Sequence, residues 1–307
     1  VFSYNAAAGL SLRGNDVRAV SNTADHNGQI GIHAETANRL LLQSNLVAVN
    51  NLERFYPGAA AGGMKLNTSV DAVVRSNLAE ANYGHGLWLD VQSDNGTLVR
   101  NVARRNQDAG IHFEFSDRAL LAGNVSYDNA AGLLVSEASD VQLWNNTVWG
   151  NIISLAGYDG TRAPRPTNIV VRNNVLSADA RSTRPMLLVE DVNKVRSWSD
   201  MRFSSNFNAY YRPSTVTTEY VSVLADYPSA KVYAKTLGQL QSQIGQERNG
   251  LIVEGARANP FVTNPTTGDF RLPDGSPAAG RGAPLPAAVA AALGVSAGVP
   301  VDIGADV

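Results

Sequence analysis

The sequence contains no cysteine, which excludes a disulfide framework and any thiolate metal site. Charge is sparse and balanced. Only 17% of the 307 residues are charged and the net charge is −2, so nothing in the composition calls for a nucleic-acid or membrane partner. No apolar run approaches the ~20 residues needed to cross a bilayer. Also missing are a Gly-x-Ser-x-Gly elbow, a phosphate-cradling glycine loop and a His-x-x-x-His zinc spacing. No signal peptide is present, and the chain opens on "VFSYNAAAGL", already strand-like, so an upstream segment is expected to have been removed or to lie outside it. With 44% hydrophobic residues, the chain can bury a large core.

What is there is a repeat. Asn22, Asn45, Asn77, Asn101, Asn124 and Asn146 follow one another at intervals of 23, 32, 24, 23 and 22 residues. A second asparagine stands five positions after each: Asn27, Asn50, Asn82, Asn106, Asn129 and Asn151. Between them lie short Val/Leu/Ile-rich strands bounded by Asn, Asp and Gly, with no room for a helix. This pattern predicts an all-β chain, a parallel β-solenoid with three faces. Asparagine suits both a stacked amide ladder and the left-handed backbone of a sharp corner. The single long interval contains the insertion "NLERFYPGAAAGG", residues 51–63, which must loop out; its Phe55 and Tyr56 could wall a groove.

Aligning the strands on their glycines gives "GLSLR", "GIHAE", "GMKLN", "GLWLD", "GIHFE" and "GLLVS". Side chains alternate faces along a strand, so the apolar second and fourth positions point inward. The third and fifth then point outward. His33, Lys65, Trp88 and His112 should form one vertical stripe, and Glu35, Asn67, Asp90 and Glu114 its neighbour. Carboxylates one coil apart repel unless a proton, a cation or Lys65 compensates. An outward tryptophan beside stacked acids makes this face the candidate site. His26 and His85 read as solvated turn residues, and Asp94 and Asp117 as serving the next turn.

The run "GGMK…GLWLD…GIHFEFS" resembles a pattern of secreted bacterial β-helix repeat proteins, within the right-handed parallel β-helix of the pectate-lyase-like superfamily. The tails "DFRLPDGSPAAGRG" and "VPVDIGADV" resemble those of the same proteins. The resemblance implies a secreted, extracellular protein and a polysaccharide or oligosaccharide lying along one sheet. Catalysis would rest on Asp90, Glu114 and Lys65, and substrate contacts on Trp88, His112, His33, Glu35, Asn67, Phe55 and Tyr56. Three activities fit. A glycoside hydrolase would use Glu114 as acid and Asp90 as base or nucleophile, with stereochemistry left open. A uronate lyase or C5-epimerase would use Lys65 or a histidine as base, with Ca2+ at Glu35, Asp90 and Glu114 as an optional cofactor. A non-catalytic adhesin or tailspike segment would bind glycan on the same face. No cofactor is required by the first or third reading, and the oligomeric state is open.

After Asn151 the rhythm loosens, with an insert around Tyr158 and Asp159. "VVRNNV" repeats the asparagine corner, and "PMLLVED" reads as a strand. The division expected is β-helix coils over 1–194 and a less regular capping region over 195–307, in which Tyr210, Tyr211 or Arg212 could fold back to the groove. Residues 235–245 have helical spacing, and "LPAAVAAALGV" reads as a packed helix too short to span a membrane.

Overall fold

The computed structural model describes residues 1–150, 152–157, 166–179, 182–214, 221–227 and 229–305. Asn151, Tyr158 and Asp159 lie outside these. Among the described residues the chain winds into three parallel sheets. The first runs in ten strands from Phe2–Ser3 to Leu251–Glu254, the second in ten from Ala8–Leu12 to Ala230–Ala234, the third in eight from Arg18–Val20 to Ser204–Asn206. Each strand pairs with the one a full coil away, for example Leu87 with Met64 below and Ile111 above. The inward positions read from the sequence do fill the core: Ile32, Met64, Leu66, Leu87, Leu89, Ile111, Phe113, Leu133 and Val135 belong to one buried cluster.

The asparagines stack as amide ladders. Asn45 donates through Nδ2 to Asn77 Oδ1 (2.9 Å), Asn77 to Asn101 (3.0 Å), Asn101 to Asn124 (3.0 Å) and Asn124 to Asn146 (2.9 Å). The ladder continues through Asn174 and Asn208 and ends on the buried carboxylate of Glu247, 2.6 Å from Asn208 Nδ2. A second ladder joins Asn27, Asn50, Asn82, Asn106 and Asn129. The left-handed corner residue is not the asparagine but the one before it: Ser44, Ser76, Arg100 and Gly123 have φ between 54° and 62°. A non-glycine residue there costs roughly 1 kcal/mol. The buried side-chain carbonyl next to it, which accepts both a backbone and an amide N–H, offsets that cost.

Strand pairing runs on past residue 194. Ser204–Asn206 joins the third sheet, Ala209–Arg212 and Leu251–Glu254 the first, and Ser222–Asp226 the second. The last of these then pairs antiparallel with Ala230–Ala234. Helix Leu237–Ile244, started by a Thr236/Gln239 capping box, buries Leu237 and Leu240 against the core. Helix Ala287–Leu293 packs Val289, Ala290 and Leu293 on Val99, Ala122 and Trp144, and its last carbonyl accepts from Arg100 (2.7 Å). Neither Tyr210 nor Tyr211 turns back to a groove. Both are buried, the first bonded to Glu247 (2.9 Å) and the second to the Ala256 carbonyl (2.8 Å), while Arg212 pairs with Glu254.

Candidate active site

Four strands of the second sheet build the site: Gly62–Asn67, His85–Asp90, Ala109–Glu114 and Ala131–Ser136. Their register places Lys65 against Trp88, Trp88 against His112 and Asn67 against Asp90. The stripe expected from the sequence therefore exists, but it is not a solvated surface. Lys65, Trp88, Asp90 and His112 are only 3–6% exposed. The reason is the insertion: Lys65 Nζ donates to the Ala59 carbonyl, and Gln29 pins the Ala60 carbonyl at 2.8 Å. The loop base is held by Asn51, which bonds to Phe55 and Tyr83, while Arg54 lies 3.4 Å over the Tyr83 ring.

Under that roof Lys65 Nζ forms an ion pair with Asp90 Oδ2 at 2.8 Å. The other Asp90 oxygen accepts from the Val91 N–H at 2.7 Å, so both oxygens are engaged. Lys65 also sits 3.4 Å above the Trp88 ring, and His112 stacks on that indole at 5.5 Å and 11°. Trp88 thus has a neighbour one coil away on each side, so it cannot serve as a platform for a sugar ring, contrary to expectation. His85 was expected in a solvated turn. Instead it opens the strand and packs on Trp88 (4.6 Å) and His112 (4.7 Å), with Nδ1 accepting from the Ala109 N–H. Burial, against the Asp108 charge and with help from the Lys65 charge, lowers the His85 pKa to about 4. His112 is likewise held neutral, by burial and then by His85 and Lys65.

Glu114 is the group that reaches solvent, its side chain 17% exposed. Burial, and then the Asp90 charge, raise its pKa to about 7. Ser136 Oγ donates to Glu114 Oε1 (3.2 Å) and lies 2.8 Å from His112 Nε2, which therefore carries the proton as donor to Ser136. That leaves His112 Nδ1 buried with no hydrogen-bond partner. Ser136 with His112 is not a nucleophile pair, because no acid orients the imidazole from Nδ1. The indole N–H of Trp88 also acts on Glu114, without reaching ordinary hydrogen-bond geometry.

The remaining predicted residues stand apart. Glu35 is bound to Arg13, and His33 contacts Asn67 at 3.4 Å. Phe55 and Tyr56 are 46% and 77% exposed on the outer surface of the loop. Glu35 pairs in register with Asn67, and Asn67 with Asp90. It is thus two coils below Asp90 and three below Glu114, roughly 14 Å at the usual strand spacing. The three carboxylates proposed for Ca2+ do not converge, and among the described residues no group of three His, Asp or Glu could hold a metal ion. Asp94 accepts from the Asp117 N–H at 2.7 Å, a turn contact as expected, and His26 pairs with Asp25.

The raised Glu114 pKa has a measurable consequence for stability. The folded protein holds this proton more tightly than the unfolded chain, so stability should fall as pH rises from about 4.5 to 7. The loss is on the order of 3 kcal/mol. Glu114→Gln should remove that slope and melt above the parent protein at pH 8 but not at pH 4.5. Thermal denaturation at the two pH values checks it; a parallel shift at both would refute it.

Residues 1–153 match the family model described as a right handed beta helix region. No curated protein matches the sequence. Among solved structures, XylC in complex with xylose superposes with a TM-score of 0.53 at 14% identity, over 80% of this chain and 39% of that one. The A-module of the Azotobacter vinelandii mannuronan C-5 epimerase AlgE4 gives 0.48 at 19% identity, over 65% and 53%. The periplasmic alginate epimerase AlgG gives 0.45 at 16%, over 74% and 48%. The chain spans about half or less of the length of these structures. The chain has a right-handed parallel β-helix fold.

Proposed function

We propose that the protein is a glycoside hydrolase acting on a polysaccharide, with Glu114 as the general acid and Asp90 as the second carboxylate. The observation that carries this reading is the division between two acids on neighbouring coils. One is charged against Lys65, and the other has its pKa raised to about 7. Pairs of acids whose surroundings push them apart in this way suit acid–base cleavage, which needs one protonated and one ionised carboxyl. Glu114 offers its proton to a glycosidic oxygen from the solvent side. Asp90 is buried and its partner Lys65 is held by the Ala59 carbonyl, so a substrate engages it only once that contact releases.

The same geometry weighs against a uronate lyase or epimerase that uses Lys65 as its base. A lysine base needs a free lone pair, whereas Lys65 Nζ is a donor to Asp90 and to Ala59 and lies on the Trp88 face. It is equally unfree to neutralise a uronate. A panel of neutral and acidic polysaccharides, assayed in parallel for new reducing ends and for ultraviolet-absorbing unsaturated products, tests the assignment. Reducing ends without that absorbance are expected. Unsaturated products would replace the reading by the lyase, and binding without turnover by the adhesin.

A further inference from the structure

A second place on the molecule combines aromatic and polar groups, on a different sheet. The first sheet stacks Arg104, Tyr127 and Trp149 in register on successive coils. Facing them is the turn Pro265–Gly268, and between the two is a cavity of about 600 Å³, which Arg105, Asp128 and Asp179 also line. That volume lies within the usual range of small-molecule sites.

Each wall is fixed. The turn is closed by reciprocal bonds between Asn264 and Asp269 (2.8 and 3.0 Å) and by Thr266 Oγ1 on Asn264 Oδ1 (2.6 Å). Gly268 has φ +80°, and a Cβ there would approach Tyr127 Oη to 3.1 Å, so the turn sits directly on the tyrosine. Tyr127 is itself fully engaged, by Phe270 at 4.7 Å and by Arg104 Nη1 on its hydroxyl at 2.8 Å. Both arginines are oriented by Glu80, and Asp179 by Ser182. Trp149 differs from Tyr127: it is only partly buried, and it lines the cavity. This is the apolar ring surface that Trp88 does not offer.

We infer that this cavity is a second ligand site, taking a short stretch of uncharged glycan with one sugar ring against Trp149. A partly exposed indole lining a cavity suits the apolar side of a sugar ring. The planar polar groups of Arg105, Asp128 and Asp179 suit its hydroxyls. The lining has two arginines and two aspartates, so it has no net charge with which to select a uronate or a phosphate.

The probes are soluble xylan, mannan, mixed-linkage glucan, polygalacturonate and alginate, each cast in a native gel. Retardation of the full chain by at least one neutral polysaccharide is expected. Trp149→Ala should weaken it by about tenfold, Trp149→Phe should retain most of it, and Glu114→Gln should retain all of it. Denaturation curves establish that each variant is folded. The inference is overturned if no neutral polysaccharide retards the protein, if only the acidic ones do, or if folded Trp149→Ala is retarded like the parent. Turnover is read separately, so loss of the hydrolase assignment would leave this result standing.

Discussion

Glu114→Gln is expected to lower kcat by about 10²- to 10⁴-fold on a natural polysaccharide with little change in KM, because the variant binds the chain but has no proton to give. The size of the loss should depend on the leaving group. An aryl glycoside with an acidic phenol departs without protonation, so the variant should retain far more of its activity on that substrate. Asp90→Asn should lose activity on both substrates alike, because attack at the anomeric carbon is needed whatever departs. On the hydrolase reading, the parent protein should lose activity as pH rises through about 7, where Glu114 gives up its proton. A Glu114→Gln variant that loses equal activity on both substrates is not missing an acid, and the roles assigned here would be wrong.

The coil register was legible in the sequence because it depends on spacing alone. Asparagine every 22–24 residues and glycine nine positions on suffice to superpose Trp88 on His112, and aligning the glycine that ends the 51–63 insertion superposes Asn67 on Asp90. Burial was not legible, because it depends on groups remote in sequence from each strand. Lys65 is covered by the carbonyl of Ala59 from the inserted loop, and Trp88 by residues one coil above and one below. Pointing away from the core was therefore mistaken for facing water. Coils at ~4.8 Å spacing leave no room for a sugar between stacked side chains. His85 was missed because it precedes the glycine on which the strands align, yet the strand already begins there. The later coils were obscured for a related reason. The corner at Asn174, 28 residues after Asn146, is still read from "VVRNNV", but its ladder partner Asn208 lies 34 residues further on, the period being stretched by inserts.

Lys65→Met should destabilise the fold by about 3–5 kcal/mol, the usual result of leaving one member of a buried ion pair without its partner. Lys65 and Asp90 have side chains only 6% and 9% exposed, so solvent cannot take over the role of the ammonium. The double variant Lys65→Met/Asp90→Leu should recover most of that loss, since replacing both charges by apolar groups removes the uncompensated one. The two single changes should also move Glu114 in opposite directions. Lys65 lowers its pKa and Asp90 raises it, so Lys65→Met should shift the Glu114 titration to higher pH and Asp90→Asn to lower pH. Carboxyl-resolved NMR titration of Glu114, run beside urea denaturation, reads both effects. A cost below about 1 kcal/mol for Lys65→Met would place the pair in the class of solvent-exposed bridges. An unmoved Glu114 titration in both single variants would mean that the two acids are not coupled. The separation of charged from protonated carboxyl, on which the hydrolase assignment depends, would then have no physical basis.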